Sequence, residues 1–228
     1  MFEDDHLGGF GPLTRMRHAG LLRWGTKTVL EALAESVPDA KGVVLWGRPE
    51  LAAVSKDSGG GQYNEKAYGR TLFVNARARP GQGFPSGASE GGPFAAVSGG
   101  ELVAAMLDSV WFKPGVITKS VVASIARKVR RVATLPAPLF AGYWDMVASN
   151  GLAIAEQAKR FEEALPLPRA VATMGPAPNL MVAEGAELEA NVSLDARLGP
   201  IVIESGASVE SFSRLMGPCY LARENTVP

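Results

Sequence analysis

The sequence is poor in the residues that most often act as nucleophiles or general bases. It contains one cysteine, Cys219, and two histidines, His6 and His18, which limits the chemistry that the chain can host. A single cysteine excludes an internal disulfide and fits a reducing compartment. A reactive thiol needs a neighbouring base or cation, and only Arg223 stands near Cys219 in the sequence. We therefore expect Cys219 to pack as a core or turn residue.

The sequence also lacks an excess charge and a long apolar run. Lys and Arg together number 23, and Asp and Glu together also number 23, so composition gives no reason to expect nucleic acid or an anionic membrane as partner. The sequence contains no run of about 18 apolar residues, the length that a helix needs to span a bilayer. The N-terminus is acidic at Glu3, Asp4 and Asp5, where a secretory signal would be basic. These features predict a cytoplasmic protein.

What the sequence does have is a repeat of six residues near its end. The aliphatic positions of the repeat are Val182, Leu188 and Leu194 and, after a shift of three at Gly199-Pro200, Ile203, Val209, Leu215, Leu221 and Val227. Small or polar residues between them, such as Gly185 and Asn191, tolerate left-handed turns. This spacing is typical of parallel β-helices, whereas an amphipathic α-helix needs spacings of three and four. We predict a left-handed parallel β-helix over residues 180–228. The alternative is a β-meander with accidental spacing.

The predicted β-helix is short. The repeat allows only about two or three coils, and stacked repeats usually need several units and a cap. We expect the tail to pack on the preceding domain, to pair between subunits, or to continue beyond Pro228. We favour continuation because the sequence stops within a repeat, at Thr226-Val227-Pro228.

Residues 1–165 show alternating strand and helix patterns. The patterns predict helices over residues 26–36, 49–54, 101–111, 118–132 and 143–165, and strands over residues 42–46, 71–74 and 94–97. Such alternation predicts an α/β domain with a largely parallel sheet covered on both faces. Residues 76–100 are predicted to be mainly loop, and the Pro-rich residues 166–179 a linker to the tail.

Three ordered stretches and the tail carry a family resemblance. The first is Phe2-Glu3-Asp4-Asp5 with Pro12-Leu13-Thr14, Arg17, Leu22-Arg23, Gly25, Thr28 and Glu31; the second is Val74-Asn75-Ala76-Arg77; the third is Trp144-Asp145-Met146-Val147 with Asn150-Gly151. The tail contributes Leu194-Asp195-Ala196-Arg197-Leu198-Gly199-Pro200-Ile201. Together they resemble a divergent group of sugar-1-phosphate nucleotidyltransferases. This group is similar to the bifunctional N-acetylglucosamine-1-phosphate uridylyltransferase and glucosamine-1-phosphate acetyltransferase.

The resemblance implies a fold, a reaction and partners. A Rossmann-like α/β domain would join a sugar-1-phosphate, such as N-acetylglucosamine-1-phosphate, to a nucleoside triphosphate and release pyrophosphate, with Mg²⁺ as cofactor. A β-helix would acetylate an amino sugar phosphate with acetyl-CoA. Related proteins assemble through their β-helices, commonly as homotrimers. The pathway implied is nucleotide-sugar biosynthesis.

Candidate site residues follow from side-chain chemistry within these stretches. Arg17 and Arg23 are predicted to grip phosphate, because guanidinium groups bind its oxygens in a fixed fork. Asp4 or Asp5, after a first strand, could coordinate Mg²⁺. The alternatives are surface ion pairs for the arginines and a solvated terminus for the aspartates.

Two further groups are candidates for substrate binding. The loop with Gly8, Gly9, Gly11 and Thr14 could bring backbone N–H groups close to a triphosphate. Asn75 and Arg77 follow a strand, where α/β ligand sites usually open. The alternatives are an ordinary turn for the glycines and an ordinary strand-to-loop junction for Asn75 and Arg77.

Departures from the family pattern keep a second function open. The chain has Arg17-His18 where the divergent group has Arg-Pro, no lysine follows, and the tail has no histidine to act as the acetyltransferase base. We expect no acetyl transfer by this chain, and acetyl-CoA would be bound only by a longer form. A degenerate, non-catalytic sugar-nucleotide-binding or assembly module is the alternative.

Overall fold

The computed structural model of the chain describes residues 1–57, 62–81, 92–134, 139–161 and 167–228. These residues form two compact units, each with its own buried core. The first unit comprises Met1–Arg23 and Lys27–Asp145, and the second comprises Trp24–Thr26 and Met146–Pro228. Parts of the predicted loop over residues 76–100, of the predicted last helix and of the predicted linker lie outside the described residues.

The elements up to residue 134 are short. They are β1 (Arg23–Trp24), β2 (Lys27–Thr28), α1 (Val29–Ala34), β3 (Val44–Leu45), α2 (Ala52–Asp57), β4 (Gln62–Tyr63), β5 (Thr71–Val74), β6 (Phe94–Ser98), β7 (Glu101–Leu107), α3 (Lys119–Lys128) and β8 (Arg131–Thr134). Helix α1 begins at Val29, three residues later than predicted, because Thr28 and Glu31 form a reciprocal capping box. The expected helix there is confirmed, and so are the strands at β3, β5 and β6.

The first four residues form an extended segment between β3 and β5. Phe2 bridges in parallel to Trp46 on one side and to Asn75 on the other, and its N–H donates to the Val74 carbonyl at 2.8 Å. Phe2 is fully buried, and Asp4 bridges to Ile117. Parallel strands end at the same edge of a sheet. The polar residues of this segment, Glu3 and Asp4, therefore lie beside the residues that follow β3 and β5.

A four-stranded sheet corrects two predictions. Its order is β5-β7-β6-β8, with β7 antiparallel to both neighbours and β6 parallel to β8, so the sheet is mixed rather than largely parallel. The predicted helix over residues 101–111 is wrong, since β7 occupies Glu101–Leu107. Six consecutive residues of β7 are buried, from Leu102 to Leu107. A continuous apolar run of this kind does not distinguish a central strand from a buried helix.

Two later helices end earlier than predicted. Helix α3 stops at Lys128 because Val129 is extended, and β8 follows, so the prediction over residues 118–132 is wrong at its end. Helix α4 (Tyr143–Gln157) continues as one 3₁₀ turn to Arg160. The structure describes no helix that is both long and apolar enough to cross a membrane.

The second unit is built mainly from short parallel strands. They are β9 (Ala172–Met174), β10 (Leu180–Val182), β11 (Glu187–Leu188), β12 (Ser193–Asp195), β13 (Ile201–Ile203), β14 (Ser208–Val209), β15 (Arg214–Met216), β16 (Cys219–Leu221) and β17 (Thr226–Val227). The chain visits three sheets in rotation, with orders β9-β12-β15, β10-β13-β16 and β11-β14-β17, and every pair is parallel. Strand β9 lies in the interval predicted as a linker.

The aliphatic positions of the repeat lie opposite one another in these sheets. Val182 pairs with Ile203, 21 residues on, and Ile203 pairs with Leu221, 18 residues on. The difference of three matches the register shift at Gly199-Pro200. Ile203 and its counterparts form the buried core of the unit, against which Cys219 packs. Burial raises the pKa of the Cys219 thiol, in agreement with a packing role.

Residues Trp24–Thr26 belong to this unit because α4 holds them. The Gly25 N–H donates to Asn150 Oδ1 at 2.7 Å, and the Thr26 N–H donates to Gln157 Oε1 at 2.7 Å. Gln157 also donates to the Trp24 carbonyl. Gly25 has φ of +73°, a left-handed conformation that glycine adopts without a Cβ clash.

Replacing Ile203 with Ala should destabilise the chain. Ile203 is 1% exposed, and removing its buried methylene groups leaves a cavity, so we expect a loss of about 2–5 kcal/mol in the free energy of unfolding. Leu198→Ala is the matched control, since Leu198 is 75% exposed and should change stability by less than about 0.5 kcal/mol. Urea denaturation followed by circular dichroism measures both. Equal losses would contradict the core assignment.

Candidate active site

A buried ion pair lies at the carboxyl end of the first extended segment. Glu3 is 0% exposed, and its two carboxylate oxygens accept from Arg48 Nε and Nη2, each at 3.1 Å. The same carboxylate accepts from the backbone N–H groups of Ala19 at 2.9 Å and Arg48 at 3.2 Å. The hydrogen bond to Glu3 raises the pKa of Arg48. The buried charge is therefore both paired and fully hydrogen-bonded.

Arg48 also fixes the loop that contains the predicted phosphate-binding residues. Its Nη2 donates to the Thr14 carbonyl at 2.7 Å and to the Arg17 carbonyl at 3.3 Å. The side chain of Thr14 is buried, whereas that of Arg17 is exposed. The loop is thus anchored by its backbone on both sides of Arg15 and Met16, and Arg17 reaches solvent from a fixed point.

A second ion pair joins three of the predicted site residues. Asp4 Oδ2 accepts from Arg77 Nη2 at 2.6 Å and from Asn75 Nδ2 at 2.8 Å. Arg77 also donates to Glu101 at 2.7 Å and to the Phe140 carbonyl at 3.1 Å. Burial alone would raise the pKa of Asp4, but the hydrogen bonds and charge of Arg77, with Asn75, hold it below its ordinary value. Asp4 is therefore an ionised, internally paired carboxylate.

Asp5 is the more accessible of the two predicted metal ligands. Its side chain is 44% exposed, and its Oδ1 lies 3.0 Å from His6 Nδ1. His6 Nδ1 is also 3.3 Å from Glu101, which connects this group to Arg77. Among the described residues, no three His, Cys, Asp or Glu side chains are grouped so as to hold a metal ion by themselves.

The predicted glycine loop begins as one 3₁₀ turn, Gly8–Phe10, anchored by buried Phe10. A Cβ on Gly9 would lie 2.5 Å from the Ala141 carbonyl oxygen and 3.0 Å from the Trp144 ring. A Cβ on Gly8 would meet nothing within 4 Å. Gly9 is therefore required for the close approach of two backbone segments, whereas Gly8 faces open space. Gly11 precedes Pro12 at the end of this turn.

His18 supports the opposite end of the loop. It is fully buried, its Nδ1 accepts from the Gly20 N–H at 3.1 Å, and its Nε2 lies 3.1 Å from the Trp46 carbonyl. This pattern requires a neutral ring with the proton on Nε2. Burial lowers the pKa of His18 to about 4, so the ring stays neutral near pH 7.

The structure brings together several of the predicted site residues. Asp4, Asn75 and Arg77 meet in one network, and Thr14 and Arg17 lie on the loop that Arg48 anchors. Arg23 lies on β1 with an exposed side chain. Glu3, Arg48, His6 and Glu101 were not predicted. The strand-end rule that identified Arg77 after β5 would also have found Arg48 after β3.

Residues 1–164 match the family described as sugar nucleotidyl transferase. The match covers most of the chain, and the protein belongs to this family. Membership implies a nucleotide and a sugar phosphate as substrates. A search of curated proteins returns no match.

Acid should destabilise the protein partly through His18. Its pKa lies at about 4 when folded and at the ordinary 6.5 when unfolded, so the unfolded state binds the proton first as pH falls. The contribution of His18 to the free energy of unfolding is fully present above pH 6.5. It is lost as the pH falls toward 4, and the total loss is about 3 kcal/mol. His18→Asn, which keeps an acceptor for Gly20, should show a correspondingly flatter pH dependence in urea denaturation. Parallel curves for the two proteins would contradict this role.

Gly9→Ala should destabilise the first unit, because the new Cβ meets backbone atoms that cannot rotate away. We expect a loss of about 1–3 kcal/mol in the free energy of unfolding. Gly8→Ala adds the same methyl group in open space and should change stability by less than about 0.5 kcal/mol. Chemical denaturation measures both variants, and an unchanged Gly9→Ala protein would disprove the close approach.

Proposed function

We propose that this protein joins a sugar-1-phosphate to a nucleoside triphosphate with release of pyrophosphate, and that the sugar is N-acetylglucosamine. The site we propose is the loop over residues 5–17, beside the carboxyl ends of the first segment, β3 and β5. The family supports nucleotidyl transfer, and the resemblance in the tail motif supports the amino sugar.

The observation that carries this proposal is the anchoring of the loop by Arg48. The pair of Glu3 and Arg48 holds the Thr14 and Arg17 carbonyls, so the exposed guanidinium of Arg17 projects from a rigid backbone. Phosphoryl transfer depends on positioning and on stabilising charge rather than on a protein nucleophile. An arginine on an anchored backbone can position a phosphate group and stabilise its charge. Neither task requires a histidine or a cysteine.

The proposed reaction needs no covalent enzyme intermediate. A phosphate oxygen of the sugar-1-phosphate attacks the α-phosphorus of the triphosphate, a new P–O bond forms, and the bond to the β-phosphate oxygen breaks. Pyrophosphate leaves with the electron pair. We assign Arg17 and Arg23 to the phosphate groups, and the loop with Gly8, Gly9 and Gly11 to the approach of the triphosphate.

Asp5 is better placed than Asp4 to bind a Mg²⁺ ion that arrives with the nucleotide. Both oxygens of Asp4 accept hydrogen bonds from Arg77, whereas the Asp5 side chain is 44% exposed. Mg²⁺ in nucleotide sites is commonly held by one or two carboxylates, with phosphates and water completing six oxygen ligands. The ion would neutralise phosphate charge. Asn75 and Arg77 would then orient Asp4 and the segment that carries Asp5.

We propose that the three parallel sheets of the second unit are coils of a left-handed β-helix. The rotation of the chain through three sheets with offsets of 21 and 18 residues supports this architecture. Assembly as a homotrimer through these coils is part of the proposal. With histidine only at His6 and His18, the second unit lacks the base for acetyl transfer, so we assign it no acetyltransferase activity.

One observation favours a second candidate, a non-catalytic sugar-nucleotide-binding module. The charge of Asp4 is already paired with Arg77, and its Oδ2 also accepts from Asn75, so this carboxylate has partners without a metal ion. This candidate predicts binding of a sugar nucleotide without turnover.

Pyrophosphate release separates the two candidates. The chain of 228 residues is incubated with Mg²⁺, N-acetylglucosamine-1-phosphate and each of the common nucleoside triphosphates. We expect release with one matched triphosphate and at least about a tenfold loss of kcat/KM in Arg17→Ala and in Arg23→Ala, since each charged phosphate contact contributes roughly 1.5–3 kcal/mol.

Arg15→Ala is the matched control, because Arg15 is an exposed arginine of the same loop. It should retain activity within about threefold. Equal losses in Arg15→Ala and Arg17→Ala would show a general charge effect and reject the site assignment. No release with any triphosphate from folded protein, together with binding of a sugar nucleotide, would establish the non-catalytic module.

A further inference from the structure

A large cavity lies along β3 and β5 of the first unit. Its volume is about 770 Å³, within the range of small-molecule sites. Its lining includes all of β5, from Thr71 to Val74, together with Val44 of β3 and Trp46 directly after that strand. Among the described residues that line it, none is a predicted site residue. The proposed nucleotidyl transfer therefore does not account for this cavity.

The wall of the cavity is mainly apolar. Helix α1 contributes Leu30 and Leu33, β3 contributes Val44, β5 contributes Leu72 and Phe73, and Met106 comes from β7. Val44 packs against the core of the first unit, yet this side of the helix and the sheet leaves a space of several hundred cubic ångströms. Apolar walls at a cavity of this size favour a ligand with an apolar body.

The charged side chains of the lining are mainly cationic. Lys41, Lys66 and Arg70 line the cavity together with one acidic residue, Asp39. The three cations are exposed, and the Lys66 ammonium lies 5.5 Å from the centre of the Tyr68 ring. The lining therefore carries a net positive charge beside an apolar interior, although the whole chain has a net charge of zero. Such a combination complements a molecule with an apolar body and an anionic end.

We propose that this cavity binds an amphipathic anion, an alkyl or aromatic body of about a dozen carbon atoms with one carboxylate or sulfonate group. The apolar body lies against α1 and β5, and the anionic group lies between Lys41 and Lys66. The site is separate from the nucleotide site, and its occupant is a second ligand rather than a substrate of the transfer.

Gly42 offers a way to fill the cavity. It lines the cavity, a Cβ placed on it meets nothing within 4 Å, and its φ lies outside the left-handed region, so a Gly42→Phe side chain begins in open space beside the cavity without backbone strain. Gly92 also has an open Cβ position and a φ outside the left-handed region, but it does not line the cavity. Gly92→Phe is therefore a matched control for the added ring.

The test uses the full chain and the fluorescent anion 8-anilinonaphthalene-1-sulfonate. We expect binding at one site per chain, displacement by dodecanoate, and at least about tenfold weaker displacement by the neutral dodecanol. Gly42→Phe should weaken binding by at least about tenfold, while Gly92→Phe leaves it unchanged. Circular dichroism and thermal melting confirm that each variant is folded.

A charge variant keeps the test decisive if Gly42→Phe does not fold. Lys41→Gln combined with Lys66→Gln changes two exposed side chains, and it should weaken dodecanoate binding by about tenfold while leaving dodecanol binding unchanged. Equal displacement by the acid and the alcohol, or full binding by folded Gly42→Phe, would overturn the proposal.

Sedimentation of each protein over a range of concentrations addresses a different occupant. Self-association that Gly42→Phe abolishes and dodecanoate does not affect would assign the cavity to a second copy of the chain and overturn the proposal. Pyrophosphate release is measured in the same variants. The two sites share no proposed residue. Loss of anion binding in a variant with unchanged pyrophosphate release is therefore consistent with both proposals. Absence of anion binding in the parent chain rejects the anion site and leaves the proposed function untouched.

Discussion

The charge of Glu3 is the constraint on which the first unit depends. A carboxylate withdrawn completely from water is tolerated only with a cation and a full set of hydrogen bonds, and Arg48 with the Ala19 N–H supplies them. The same guanidinium donates to the Thr14 and Arg17 carbonyls. One ion pair therefore connects the end of the first extended segment, the chain after β3 and the loop that contains Thr14 and Arg17. Loss of one partner of such a pair costs about 3–5 kcal/mol, so the geometry of the loop and the stability of the unit are coupled.

The neighbouring pair, Asp4 with Arg77, repeats this arrangement on the other side of the segment. Consecutive residues of an extended chain point to opposite sides, so Glu3 reaches the chain after β3 and Asp4 reaches the chain after β5. Each adjacent strand is thus followed by an arginine that binds the central segment. Both acids are held in buried ion pairs, whereas the side chains of Arg17 and Asp5 reach solvent.

Local signals predicted local structure well. The spacing of Val29, Leu30 and Leu33 indicated α1, the apolar residues Leu72, Phe73 and Val74 indicated β5, and spacing by six found the positions that pair across the parallel sheets. Burial on both faces removed the signal for β7, because a central strand needs no alternation of polar and apolar residues. The hydrogen-bond networks at the candidate site could be anticipated only in part. Asn75 and Arg77 stand beside a recognisable strand, whereas the partnership of Glu3 with Arg48 spans 45 residues and depends on how the strands pair.

The hydrogen bonds between Trp24–Thr26 and α4 set an order of events during synthesis. The Gly25 N–H finds its acceptor 125 residues later in the chain, and the Thr26 N–H finds its acceptor 131 residues later. At a translation rate of roughly 5–20 residues per second, several seconds pass before Asn150 and Gln157 leave the ribosome. Most of the first unit has then already been made, while the short segment at Gly25 still waits for its partners. The second unit is therefore completed by a segment made more than a hundred residues earlier, and until α4 is made the N–H groups of Gly25 and Thr26 lack the acceptors on Asn150 and Gln157.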